Sequence, residues 1–158
     1  MSEAAWLTPA SIRLASLLLR SHQLAYRRPL LAADRFQGSA RLLAQELFAC
    51  DSVVLAHDNG EDPRLIYANR AALLLWRRRW DAMVGMPSRL TAEPAERGQR
   101  AVALGRAGRL QAIQGYGGVR IDRLGGRFRF SAARIWTIRE ESGKRLGQAA
   151  CFSNWWRL

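Results

Sequence analysis

The pattern of apolar and polar positions divides the chain into a helical opening and a longer stretch in which strand and helix signals alternate. Thr8 followed by Pro9 is a helix start, because Thr caps free N–H groups and Pro suits the first helical position. The spacing predicts a helix to about Tyr26, with Leu14, Leu17, Leu18, Leu24 and Ala25 on one face. After Pro29 and a short connector, Ser39 to Phe48 repeats the pattern through Ala40, Leu43, Ala44 and Leu47. Such a pair either packs on the rest of the chain or forms a dimer seam.

From Asp51 the period changes. Val53 to His57 is rich in strand formers, HDNGEDP at 57–63 is a turn, and Leu65 to Tyr67 completes a hairpin. Asn69 then stands where strand becomes helix, placed to accept from the N–H groups of the first turn as a structural cap. Ala71, Ala72, Leu75 and Trp76 continue that helix. Arg77, Arg78 and Arg79 follow near its C-terminal end, where positive charge complements the helix dipole; a phosphate contact is the alternative. Glu93-Pro94 precedes a helix from about Ala95 to Ala107. From Ile113 three strands form a meander, with turns at RLGG and at Glu141 to Gly143. In the middle strand strict alternation puts Phe128, Phe130, Ala132, Trp136 and Ile138 on one face, with Arg134 among them. Arg127, Arg129 and Arg139 take the other face. Two strands, short helices and a three-stranded meander make an α+β fold: a five-stranded antiparallel sheet with helices on one face. The expected division is a two-helix leader over residues 1–49 and the sheet domain over 50–158.

The length of 158 residues is enough for one domain, and 49% hydrophobic with 24% charged residues excludes a disordered chain as the default. The net charge of +12 rests on Arg, with Lys144 the single lysine. Arginine grips phosphate and carboxylate in a planar fork, so an anionic partner is one reading and compositional bias on a solvated face the other. Two cysteines, Cys50 and Cys151, are too few for a disulfide framework and suit a reducing, cytoplasmic setting. No apolar run approaches the roughly 20 residues that span a bilayer, so no membrane partner is expected.

Several stretches in their order resemble a known family. LIYANRAALLLW, MPSRLTAEP at 86–94, GYGGVRI at 115–121, GGRFRF at 125–130, the IW pair at 135–136 and GQAACF at 147–152 are similar to the MEKHLA domain. This family is related to PAS sensory domains and occurs alone in bacteria and at the C-terminus of plant homeodomain–leucine zipper factors. The helical opening also resembles the leader of stand-alone bacterial members. The resemblance implies a PAS-like sheet in the order 2-1-5-4-3 with short helices over a central cavity. It implies a sensory or regulatory role through a small molecule or through dimerisation, and names no general ligand.

Candidate site residues follow from chemistry. A guanidinium on a covered face must be paired or reach water, so Arg134 with Arg120 is placed to receive a carboxylate or phosphate. The alternatives are an ion pair of Arg134 with Glu93 or Asp122, or a register that turns it outward. The loop carrying Ser88, Arg89, Thr91 and Glu93 either converges on a ligand or fixes itself to Arg97 and local backbone. Tyr116 and Trp136 line a pocket or pack a core. Gln148 opens the last strand, where light-sensing PAS relatives contact flavin, and is equally explained by a plain strand hydrogen bond.

The cofactor stays unknown. A cysteinyl-flavin needs a Cys on the helix after the first hairpin, and haem needs an axial His on the central helices, where neither Cys50, Cys151, His22 nor His57 falls; both are disfavoured. No nucleophile elbow, phosphate loop or metal-ligand spacing is present, so the expectation is a non-enzyme with no catalytic or metal residues. The expected partners are a small molecule and a second copy or another protein. The rival reading is nucleic-acid binding through Arg127, Arg129 and Arg139 with Arg77, Arg78 and Arg79.

Overall fold

A computed structural model describes residues 3–32 and 38–158. The connector expected between the two leading helices lies partly outside them. Thr8 accepts from Ser11 N, Pro9 opens helix α1 (Pro9–Tyr26), and Arg27 closes it in the left-handed region. Ser39 caps helix α2 (Ala40–Ala49) by accepting from Leu42 N. In the hairpin of β1 (Val53–Asp58) and β2 (Leu65–Ala68), the Asp58 carboxylate accepts from Gly60 N and Arg64 N and so shapes the turn. Helices α3 (Arg70–Trp76) and α4 (Trp80–Met83), a 3-10 turn (Ser88–Thr91) and α5 (Pro94–Leu110) follow. The meander is β3 (Ala112–Ile121), β4 (Arg127–Arg139) and β5 (Arg145–Phe152), with a further strand β6 (Asn154–Arg157).

All strand pairings are antiparallel and run β2-β1-β5-β4-β3, the order implied by the resemblance. The expected single last strand is divided at Ser153. Residues Arg145 to Cys151 pair with Arg134–Arg139, and β6 pairs with Phe128–Ser131 of the same β4.

The sheet is covered on both faces. On the front, α3 packs Ala72, Leu75 and Trp76 onto Val53, Phe128, Phe130 and Phe152, and α5 sets Ala107 against Ile113 and Ile135. On the rear, α1 and α2 press Leu17, Leu18 and Leu47 onto Val54, Ala56, Trp136, Ile138 and Ala149. Each buried Leu, Ile, Val or Phe among these contributes about 1.5–3 kcal/mol relative to exposure. Leu17 and Leu18 therefore bury their apolar surface inside this chain. Leu24, expected on the same stripe, is 65% exposed.

Strict alternation fails in β4. Tyr116 pairs with Ala133 and Gly118 with Phe130, so two residues of β3 advance while three of β4 do. The extra residue makes a β-bulge, and exposed Ala132 takes φ 56° there. Phe128 and Phe130 are consequently continued on the front by Ala133 and Ile135. Arg134, Trp136 and Ile138 move to the rear, which corrects the face expected for them.

A hollow between the sheet and α5

The front layers do not close completely. Between α5 and the centre of the sheet lies a hollow of about 60 Å³, walled by Leu55, Tyr116, Phe130, Ala133, Ile135 and Phe152 and roofed by Arg100 and Leu104. At roughly 10–15 Å³ per water-sized group, it holds about five such groups. His57, Thr91, Arg100, Arg120 and Gln148 are the polar residues in a mostly apolar lining.

The glycine-rich start of β3 positions Arg120. A Cβ on Gly117 would stand 2.9 Å from Phe130 O, and one on Gly118 would crowd the Arg120 guanidinium at 3.1 Å. Without those carbons Arg120 lies over the Phe130 ring, its Cζ 4.9 Å from the centroid. It donates to Val119 O at 2.8 Å and to the Tyr116 hydroxyl at 3.1 Å, and it is buried. Arg100 reaches the hollow from α5 and donates to Ser88 Oγ at 2.8 Å. Burial and then the neighbouring charge of Arg120 bring its pKa down to about 10, which leaves it charged at neutral pH. Among the described residues no carboxylate stands within ion-pair distance of either arginine.

His57 donates from Nδ1 to Asp58 O at 2.8 Å, which leaves Nε2 as an acceptor. That nitrogen is buried and, although the Gln148 side chain adjoins the ring, forms no hydrogen bond of proper geometry; burial lowers the ring's pKa below the ordinary histidine value. Gln148 donates to Leu104 O at 3.0 Å, tying β5 to α5 across the hollow. Thr91 donates its hydroxyl to Ser88 O, and its carbonyl accepts from Trp76 Nε1.

Of the eight ligand candidates, Thr91, Tyr116, Arg120 and Gln148 meet at the hollow. Arg89 is drawn away by Asp62 at 3.1 Å and Glu93 by Arg127 at 2.6 Å. Arg97 donates to Arg89 O and Ala92 O, and so ties the 88–94 loop to α5. Arg134 lies on the rear, its guanidinium over the Tyr26 ring and directed at Cys151 Sγ. It pairs with neither Glu93 nor Asp122; Asp122 instead binds Arg77 and Arg157. Trp136 donates to Leu18 O under α1. Among the arginines considered for nucleic acid, Arg77, Arg79 and Arg127 pair with carboxylates, and Arg139 bonds Gly143 O and Gln111. Arg78 and Arg129 have no carboxylate partner among the described residues. His57 and Arg100 were missing from the expected set. For Arg100 the signal was the i, i+4, i+7 stripe Arg100, Leu104, Ala107, the face that α5 turns to the sheet.

The sequence profile of the MEKHLA domain matches residues 12–157. The chain belongs to the MEKHLA family. Solved structures agree on the fold. A PAS domain from Colwellia psychrerythraea superposes with TM-score 0.63 at 12% identity, covering 72% of this chain and 94% of that one. An RNA-binding light-oxygen-voltage receptor gives 0.65 at 15% identity over 80% of this chain, but the match spans only 36% of the receptor. A light-oxygen-voltage domain studied with a flavin analogue gives 0.56 at 17% identity, over 74% and 84% of the two chains. No curated protein matches. The MEKHLA chain thus has a PAS-like fold.

A flavin of the cysteinyl type does not fit the residues here. Neither cysteine lines the hollow: Cys151 belongs to the rear core, and Cys50 accepts from Asn69 beside β1. Among the described residues no group of three His, Cys, Asp or Glu side chains is placed to hold a metal ion, and no helix is long and apolar enough to cross a membrane.

Proposed function

We propose that this MEKHLA module is a non-enzymatic sensor that takes a small molecule into the hollow between α5 and the sheet. The observation that carries the reading is the hollow itself, with His57 among its lining residues and the Nε2 of that ring buried and unpartnered. Buried polar atoms in native proteins are overwhelmingly hydrogen-bonded, so an orphaned acceptor beside a void is a place for a guest.

The connection to a response runs through α5. Ala107 is its single fully buried residue among those described, and Gln148 to Leu104 O and Arg100 to Ser88 Oγ hold it over the site. A guest touching Arg100 and Leu104 therefore acts directly on the helix that roofs the hollow.

The test is a thermal-shift screen of a small-metabolite library on the wild type and on Ala133→Phe, which fills the hollow. The expected result is at least one metabolite that raises the wild-type melting temperature by several degrees and leaves the filled variant unmoved. A library that moves neither protein, together with a filled variant more stable than the wild type, refutes the reading.

A further inference from the structure

Arg120 and Arg100 come from different elements, a strand and a helix, yet both side chains line one mostly apolar hollow. Arg120 is 7% exposed. Its partners are a carbonyl and a phenol, and those of Arg100 are a hydroxyl, all neutral acceptors. Cations removed from water are normally balanced by an acid; Asp122 is engaged with Arg77 and Arg157 and Glu93 with Arg127, and Glu96, one turn before Arg100 on α5, forms no ion pair with it. The missing negative charge is the first requirement on the guest.

The second requirement comes from His57. Its Nδ1–H is committed to Asp58 O, so Nε2 can only accept. An anion with no proton to give, such as chloride or sulfate, offers nothing to it, whereas an O–H group does. The third is size. The hollow takes roughly five water-sized groups, which excludes ring cofactors and tricarboxylates such as citrate and admits an acid of two or three carbons. The fourth is the apolar wall of Phe130, Ala133 and Ile135, which asks for a hydrocarbon part.

Resting on the reading of the hollow as a ligand site, we infer that its ligand class is a short hydroxycarboxylate. The carboxylate lies against Arg120 and Arg100, the hydroxyl donates to His57 Nε2, and the carbon chain faces Ala133. Arg120 is pre-oriented by its stack on Phe130 and by Tyr116, so little ordering is left for the moment of binding.

Calorimetric titration of the full chain with four probes separates the requirements: sodium L-lactate, propionate, lactamide and citrate. L-lactate is expected to bind best. Propionate, lacking the hydroxyl, should bind about 5–10-fold more weakly, and uncharged lactamide at least about 10-fold more weakly. Citrate should not bind. Arg120→Gln should lower lactate affinity by about 10-fold or more, and His57→Leu should equalise lactate and propionate. Because substitution of a buried Arg can disturb folding, amide shifts of the wild type on adding lactate form the second arm. They should centre on Tyr116, Arg120, Ala133 and Gln148. Lactamide binding as well as lactate, or lactate shifts spread over exposed arginines alone, overturns the inference while leaving a ligand site intact. Failure of every probe on a protein that the metabolite screen does shift also overturns the carboxylate class. Failure of both the probes and the screen removes the ligand site itself.

Discussion

Asn69→Ala is expected to be far more damaging than loss of an ordinary helix cap. Asn69 is fully buried, and both ends of its amide are in use. Its Oδ1 accepts from Ala72 N at 3.1 Å, capping α3, and from Val54 N at 3.0 Å at the start of β1. Its Nδ2 donates to Ser52 O at 2.7 Å and to Leu47 O at 3.2 Å, reaching the end of α2. One side chain therefore joins the leader, the first strand and the front-face helix. A cap alone contributes about 1 kcal/mol. Leaving buried backbone groups without partners adds about 1–3 kcal/mol each, part of it recovered by water entering the space. The expected loss is about 3–5 kcal/mol out of a typical 5–15 kcal/mol, or a melting temperature lower by about 10–15 °C. Urea denaturation followed by tryptophan fluorescence reads this as a lower midpoint at unchanged slope. Asn69→Asp isolates the donor half, since it keeps the acceptor and turns a carboxylate oxygen toward two carbonyls. A loss under about 1 kcal/mol for Asn69→Ala, or wild-type stability for Asn69→Asp at neutral pH, refutes the reasoning.

Three further outcomes are expected. His22 is fully buried on the inner face of α1, where burial, and next the charge of Arg134, hold its pKa at about 4 against 6.5 in the unfolded chain. The unfolded state thus binds a proton that the folded state refuses, so stability falls as pH drops from 6.5 to 4, by about 2–3 kcal/mol. His22→Phe should flatten this fall in denaturation series at pH 4.5, 5.5 and 7, leaving the smaller slope of His57. Ala132→Gly should stabilise by about 0.5–1 kcal/mol, because an exposed residue at φ 56° loses its strain without losing contacts; an unchanged or lower midpoint contradicts the bulge. Leu18→Asp should cost at least about 4 kcal/mol and give an unfolded or aggregated chain, seen by circular dichroism with light scattering, because Leu18 covers the sheet of its own chain. A folded monomer released from a dimer would contradict that placement.

The strand and helix boundaries were largely legible because the signals were local. Thr8-Pro9, Ser39 and Asn69 are caps whose side chains do what their type predicts. The β4 bulge was not legible, since it sits at Ala132, a residue with no preference for the left-handed region, where Gly or Asn would have announced it. That one unannounced residue moved Arg134 and Trp136 to the rear face and removed them from the hollow. The place of Arg100 was half-legible, as part of a helical stripe whose partner surface only the tertiary fold supplies. His57 was visible as a residue type, but its free Nε2 arises from a bond to the adjacent Asp58 carbonyl, which depends on backbone geometry. The division at Ser153 likewise follows from β4 pairing with both parts of the C-terminal stretch.

The most direct measurement is a crystal structure grown with 3-bromopropionate at saturating concentration, with the bromine located by its anomalous signal. A peak between α5 and the sheet, near Ala133 and Ile135, with the carboxylate against Arg120 and Arg100, is the predicted result. A hollow filled by the protein's own side chains, or bromine bound elsewhere while Arg120 keeps only its neutral partners, would contradict it.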